Sequence, residues 1–174
     1  MQIWVIDTVS VIEIRRALPK PVQARIVLDL DDRARSGVIV YPPEVLGELE
    51  RASETIKGKG RGDRPLAWAK KHELNGTRYG HLFDGAKAIL ARVPNLIDRD
   101  KVAVEGIDVA DPHVIALAVH LKREGDDVTI ITEDFNSTPK KTGLADAAGV
   151  FKIPCVRFRT FLITEGIWDG IEGA

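Results

Sequence analysis

Four acids stand where a carboxylate can do chemistry. Asp7 directly follows the apolar run Ile3-Trp4-Val5-Ile6, Glu48 sits in VLGELE, Asp111 precedes Pro112, and Asp134 lies in IITEDF. Carboxylates packed together repel, and a divalent cation relieves them. Oxygen ligands with no cysteine pair and no histidine partner suit Mg²⁺ or Mn²⁺ rather than zinc. The expected roles are metal ligation by Asp7, Asp111 and Asp134, with Glu48 as a further ligand or a water-positioning group. Glu133 adjoins Asp134, so the residues alone leave the fourth acid open between the two.

Elements must bring these acids together. Asp111-Pro112 opens a helix, Asp as N-cap and Pro at the first helical position. Val114, Leu117, Ala118 and Leu121 recur at helical spacing, and Gly125 ends the helix. Val128 to Thr132 is then a β-branched run suited to a buried parallel strand. A helix of about 13 residues climbs roughly 20 Å, and the strand returns roughly 16 Å. The helix start and the strand end therefore share one edge, which puts Asp111 near Asp134.

The rest of the chain repeats this alternation. Ile3 to Ile6 reads as the first strand, with a helix from Thr8 or Ser10 to Leu18 and another from about Pro21 to Arg35. Val38 to Tyr41 is the second strand, and Pro42-Pro43 starts a third helix that runs to about Ile56. On that helix Val45, Leu49, Ala52 and Ile56 form an apolar stripe. Glu48 lies about 70° from its centre and Glu44 about 110°, at ~100° per residue. Glu48 can lean toward the sheet edge, while Glu44 suits the helix dipole. Helices follow at Pro65 to about Leu74 and Leu82 to Ala91, and Leu96 to Val104 is either extended or a loop. Asn136 to Gly149 reads as irregular, Cys155 to Phe158 as a short last strand, and Thr160 to Glu165 as a short helix. Alternation of this kind implies one α/β domain over residues 1–174, a three-layer α/β/α sandwich around a parallel sheet. Ligands bind such sheets at the carboxyl ends of the strands, where all four acids fall.

Composition narrows the class. A net charge of −1 gives no global basic field, so nucleic-acid contact must use a local patch. The densest source is KGKGRGDR, with Lys57, Lys59, Arg61 and Arg64 as candidate phosphate contacts; Lys140 and Lys141 are the alternative. Cys155 is the only cysteine, which excludes an internal disulfide and fits a reducing compartment. No segment reads as a signal peptide or membrane span, so a cytoplasmic protein without membrane contact is expected. His113 and His120 read as polar-face residues two turns apart, and Trp4, Trp68 and Trp168 as core or interface anchors.

In order and spacing, these pieces resemble a PIN domain. VIDTVSVI carries Asp7, VLGELE carries Glu48, ADPHVIALA carries Asp111, and IITEDF carries Asp134. LAWAKKHE and the late Lys152-Ile153-Pro154-Cys155 resemble a PIN-like branch with a Trp-bearing middle helix. The resemblance implies a Mg²⁺- or Mn²⁺-dependent endoribonuclease, with RNA as substrate. It also implies the toxin of a bacterial or archaeal toxin–antitoxin pair, a homodimer inhibited by a cognate antitoxin. Members often carry a hydroxyl or amide residue two positions after the first Asp, where this chain has Val9; Thr8 or Ser10 is the substitute, and Ser10 joins the candidate substrate contacts. The rival within the same fold is an RNA-binding or regulatory module without nuclease activity. Val9 also removes the second Asp that a haloacid-dehalogenase-like phosphatase needs.

Overall fold

Two apolar runs, Ile3 to Ile6 and Val128 to Ile131, form the centre of a four-stranded sheet. The computed structural model describes residues 1–16, 20–54, 63–73, 79, 82–98 and 109–168. Strand β1 is Gln2–Ile6, β2 Ile39–Val40, β3 Asp127–Ile131 and β4 Cys155–Val156. All pairings are parallel, in the order β2-β1-β3-β4. Among the described residues eight helices surround the sheet: α1 Thr8–Arg16, α2 Lys20–Arg35, α3 Pro43–Glu54, α4 Arg64–Lys71, α5 Phe83–Arg92, α6 Asp111–Arg123, α7 Leu144–Val150 and α8 Phe158–Thr164. The chain is thus an α/β protein with a parallel sheet, an arrangement compatible with three layers. No helix among the described residues is long and apolar enough to cross a membrane.

The strand order decides where a ligand can sit. From β1 the chain moves to β2 on one side; β3 lies on β1's other side and leads to β4. Crossovers therefore leave in opposite directions from β1 and β3, and the crevice beyond their carboxyl ends is the switch point where open α/β sheets bind ligands.

Several boundaries differ from the expectation, each for a local reason. Asp111 is the first residue of α6 and the N-cap is Ala110, with no side-chain cap bond; the Asp111 carboxylate is left free for other partners. The second strand shortens to Ile39–Val40, because Tyr41 turns away and its hydroxyl donates to the Ala69 carbonyl at 2.6 Å. Residues 136–149 were expected to be irregular, yet their second half starts α7, whose Leu144, Ala147 and Ala148 are buried; alanine favours helix once a packing face exists. Helix α8 begins at Phe158 rather than Thr160. Of the Leu96–Val104 segment only Leu96, Ile97 and Asp98 are described, and they form neither helix nor strand.

Packing anchors the helices that carry site residues. Trp68 of α4 is buried against Tyr41 and His72, with ring centroids 5.7 and 5.6 Å away. His72 Nε2 lies 2.7 Å from Asp31 Oδ1, and Lys71 donates to the other oxygen at 2.5 Å, tying α4 to α2. Burial alone would raise the Asp31 carboxyl, but the Lys71 and His72 bonds and charges hold it below its ordinary value. Trp4 is also interior: Nε1 donates to Glu165 at 2.9 Å and the ring meets Phe161 edge-on. Trp4 and Trp68 are therefore core residues, both buried within the chain. Trp168 is half-buried beneath the Arg159 guanidinium, 5.0 Å from its ring centroid.

Candidate active site

Parallel pairing of Ile6 with Ile131 brings the residues that follow both strands out side by side. The Asp7 amide donates to the Ile131 carbonyl at 3.1 Å. The Thr132 hydroxyl donates to Asp7 Oδ2 at 2.5 Å, and Thr132 Oγ1 accepts the Asp134 amide at 3.0 Å. Asp7 Oδ1 accepts the Ser10 amide at 2.8 Å. Thr132 thus joins the first acid to the fourth, through the local habit of Thr to bond backbone two residues on.

Glu48 reaches the same edge from α3. Its Oε2 accepts the Thr8 hydroxyl at 2.5 Å and its Oε1 accepts the Ala110 amide at 2.9 Å. It therefore clamps the start of α1 to the start of α6, next to Asp111. Asp111 in turn shares an ammonium with Asp134: Lys141 Nζ lies 3.0 Å from Asp111 Oδ2 and 2.8 Å from Asp134 Oδ2. All four predicted acids thus meet at one edge, linked by Thr132, Thr8, Ala110 and Lys141.

Burial sets the protonation of this edge. Asp7 is 2% exposed, and desolvation pushes its carboxyl up to about 7 against the bonds from Thr132 and Ser10. Burial likewise raises Asp111 to about 6, opposed by Lys141 and reinforced by the charges of Glu48 and Asp134. Burial by itself would lower Lys141, but the two carboxylates outweigh it and hold its pKa above the ordinary value. Cys155 is pushed up to about 12, first by burial and then by the charge of Asp7. It therefore stays a protonated thiol at neutral pH.

Neighbouring acids are used elsewhere. Glu133 Oε1 accepts the Phe158 amide at 2.9 Å and Oε2 takes Arg157 at 2.9 Å, so it caps α8 and leaves Asp134 as the fourth acid. Glu44 Oε1 lies 3.1 Å from His113 Nδ1, a second tie between α3 and α6; neither residue is the plain surface group expected. Ser10 is fully buried and supports Asp7 from beneath through its amide, so it is not a surface contact for substrate. Lys57, Lys59 and Arg61 lie outside the described residues. Arg64 is exposed at the start of α4, beside Asp63, which pairs with Arg15 at 3.0 Å. Arg15 is eight residues past Asp7, roughly 12 Å further along α1.

The donors fit a hard divalent cation in kind, being carboxylates and hydroxyls, and Asp111 Oδ2 is buried without a hydrogen bond, touched only by the Lys141 charge. In position they are not yet a cage. Among the described residues no three acids, histidines or cysteines stand close enough to hold a metal ion. The physical reason is that each oxygen pair already has a partner: Ser10 and Thr132 for Asp7, Thr8 and Ala110 for Glu48, and Lys141 for Asp111 and Asp134. Sequence reasoning missed Thr132 as a bridge and Lys141 as a counter-ion. The Thr-x-Asp spacing was a signal for the first; nothing local marks the second.

The Glu48 clamp has a measurable consequence. Glu48→Ala leaves the buried Ala110 amide without an acceptor, which costs about 1–3 kcal/mol. Glu48→Gln keeps an oxygen for Ala110 and should cost clearly less. Urea unfolding of both variants checks this; equal midpoints for wild type and Glu48→Ala would mean that the clamp does not hold α6.

No family model matches the chain, and neither a curated protein nor a solved structure matches it.

Proposed function

We propose that the protein is a Mg²⁺- or Mn²⁺-dependent endoribonuclease with a PIN-like fold. The observation that carries the reading is the placement of Asp7 and Asp134 beyond adjacent parallel strands at the point where strand order reverses, with Asp111 and Glu48 joined to them. A divalent cation there would supply an acidified water and would offset charge on the scissile phosphate. Asp7, Asp111 and Asp134 are the groups to hold it. Thr132 orients Asp7 and the Asp134 backbone together, and Glu48 keeps the first turns of α1 and α6 in register. No side chain acts as nucleophile.

The proposal extends to the toxin of a toxin–antitoxin pair, acting as a cytoplasmic homodimer whose antitoxin inserts a basic side chain near the acids; the resemblance supports this part. A second reading, an RNA-binding or regulatory module of the same fold, is favoured by one observation: the Lys141 ammonium already pairs with two of the acids.

The test is cleavage of end-labelled single-stranded RNA. Cleavage with Mn²⁺ should stop on adding EDTA and fall at least a hundredfold in Asp134→Asn, and growth arrest on expression should vanish in Asp111→Ala. RNA binding without cleavage under any divalent cation would select the second reading, and cleavage untouched by EDTA would refute the metal role.

A further inference from the structure

Lys141 is placed with unusual care for a lysine next to a loop. Its amide donates to Thr138 Oγ1 at 3.0 Å, and its carbonyl accepts the Thr138 amide at 2.7 Å. On the far side the Thr142 amide donates to the Asn95 carbonyl at 2.7 Å, and the Gly143 amide to Ser137 Oγ at 2.9 Å. The Ala145 amide returns to the Asp134 carbonyl at 3.0 Å. Gly143 is packed against the backbone of Asn136, where an added Cβ would come within 3.0 Å of the carbonyl carbon and oxygen. The turn is closed on itself and pinned at both ends, so the Lys141 backbone is held relative to Asp134.

The ammonium this turn presents differs from an ordinary surface pair, which gains little because water screens it and the side chain is free. Here one cation serves two carboxylates at 3.0 and 2.8 Å, and the side chains of Lys141, Asp111 and Asp134 are only 35%, 17% and 24% exposed. The ammonium lies between the two carboxylates that the proposed cation would also have to meet. We propose that Lys141 is the resident counter-ion of the acid cluster, and that a divalent cation binds by displacing its ammonium from Asp111 and Asp134.

Charge and chain chemistry support displacement. Without a cation between them, two partly desolvated carboxylates repel strongly, so the metal-free protein needs Lys141. A divalent ion carries twice the charge and accepts more oxygen ligands. Lysine is the residue suited to yield, being a compact charge on a flexible four-carbon stem, whereas the rigid fork of arginine would hold two carboxylates in place. Removing Lys141 should therefore destabilise the metal-free state and strengthen metal binding at the same time, because the competitor is lost and the repulsion that the metal relieves is larger.

The inference rests on the reading that these acids take a divalent cation, and the test keeps the two apart. Mn²⁺ is titrated calorimetrically into the full chain, as wild type, Lys141→Met and Lys141→Arg, with no RNA present. Lys141→Met should bind Mn²⁺ at least tenfold tighter than wild type and melt at a lower temperature without metal, and Lys141→Arg should bind no tighter than wild type. In wild type, acetylation of Lys141 by a water-soluble acylating reagent, followed by mass spectrometry, should speed up several-fold when Mn²⁺ is added; this readout does not depend on any variant folding. Equal or weaker Mn²⁺ binding by Lys141→Met, or an acetylation rate unmoved at saturating Mn²⁺, overturns the displacement role while leaving the metal site intact. Absence of Mn²⁺ binding in all three proteins overturns both. Normal displacement without RNA cleavage would leave this inference standing and sink only the nuclease reading.

Discussion

At about pH 8 and without divalent cations, Asp7→Asn should melt at a higher temperature than the wild-type chain, and with Mn²⁺ it should lack the proposed RNA cleavage. The gain comes from burial. The Asp7 carboxyl, ordinarily at 3.8, is raised to about 7 in the folded protein, chiefly by desolvation. Between those values the folded chain keeps a proton that the unfolded chain has released, so stability falls as pH rises through that window, and the penalty is complete above it. About three units at 1.36 kcal/mol each set a ceiling of roughly 4 kcal/mol. Asparagine recovers less than the ceiling. Its oxygen can accept from Ser10, but its amide faces a Thr132 hydroxyl that now donates to Asp7 and already accepts from Asp134. A net gain of about 2 kcal/mol is expected after losing about one or two units of hydrogen-bond energy. The advantage should shrink on acidification, and the burial penalty is gone below about pH 3, where the carboxyl is protonated in both states. Asp111, raised to about 6, adds a penalty of the same sign to wild type and variant alike. Melting curves across pH decide it: a variant less stable than wild type at every pH would mean that the Asp7 hydrogen bonds outweigh its desolvation. Cleavage as fast as wild type would remove Asp7 from the proposed metal site.

Trp68→Ala should produce the largest loss of stability. The side chain is fully buried between Tyr41 and His72. Truncating a buried tryptophan costs about 3–5 kcal/mol in transfer energy and cavity. For a chain of this size that corresponds to a melting point lower by roughly 10 °C. Trp68→Phe should cost far less, because Trp68 Nε1 is buried without a hydrogen-bond partner and phenylalanine removes that orphan donor along with part of the ring. The effect should reach the site, since α4 packs on α1 and α3, which carry Thr8 and Glu48. Urea unfolding and Mn²⁺-dependent cleavage measured together test this. A Trp68→Ala variant within about 1 kcal/mol of wild type would show that the cavity collapses without strain.

What travels along the chain was legible before any folding was known. An apolar run stopped by Asp7, the helical spacing after Asp111 and the β-branched run before Asp134 located three acids on one edge by length arithmetic alone. The apolar stripe of α3 chose Glu48 over Glu44 for the cluster, and the structure places Glu48 there. These signals are local, because helix period, caps and β-branching act within a turn or a strand. Tertiary structure decided the rest. Strand order, and with it the switch point between β1 and β3, depends on pairings between distant segments. The bond from Thr132 to Asp7 spans 125 positions. Whether Glu133 or Asp134 faces the site turned on the free amide of Phe158, which captured Glu133. Residues 144–150 became helical only where Leu144, Ala147 and Ala148 had a core to cover. Lys141 read as an alternative phosphate contact until the closed turn from Thr138 fixed its backbone within reach of two acids. A side chain's partner is set by the packing that holds both ends still, and no pattern in the surrounding residues encodes that.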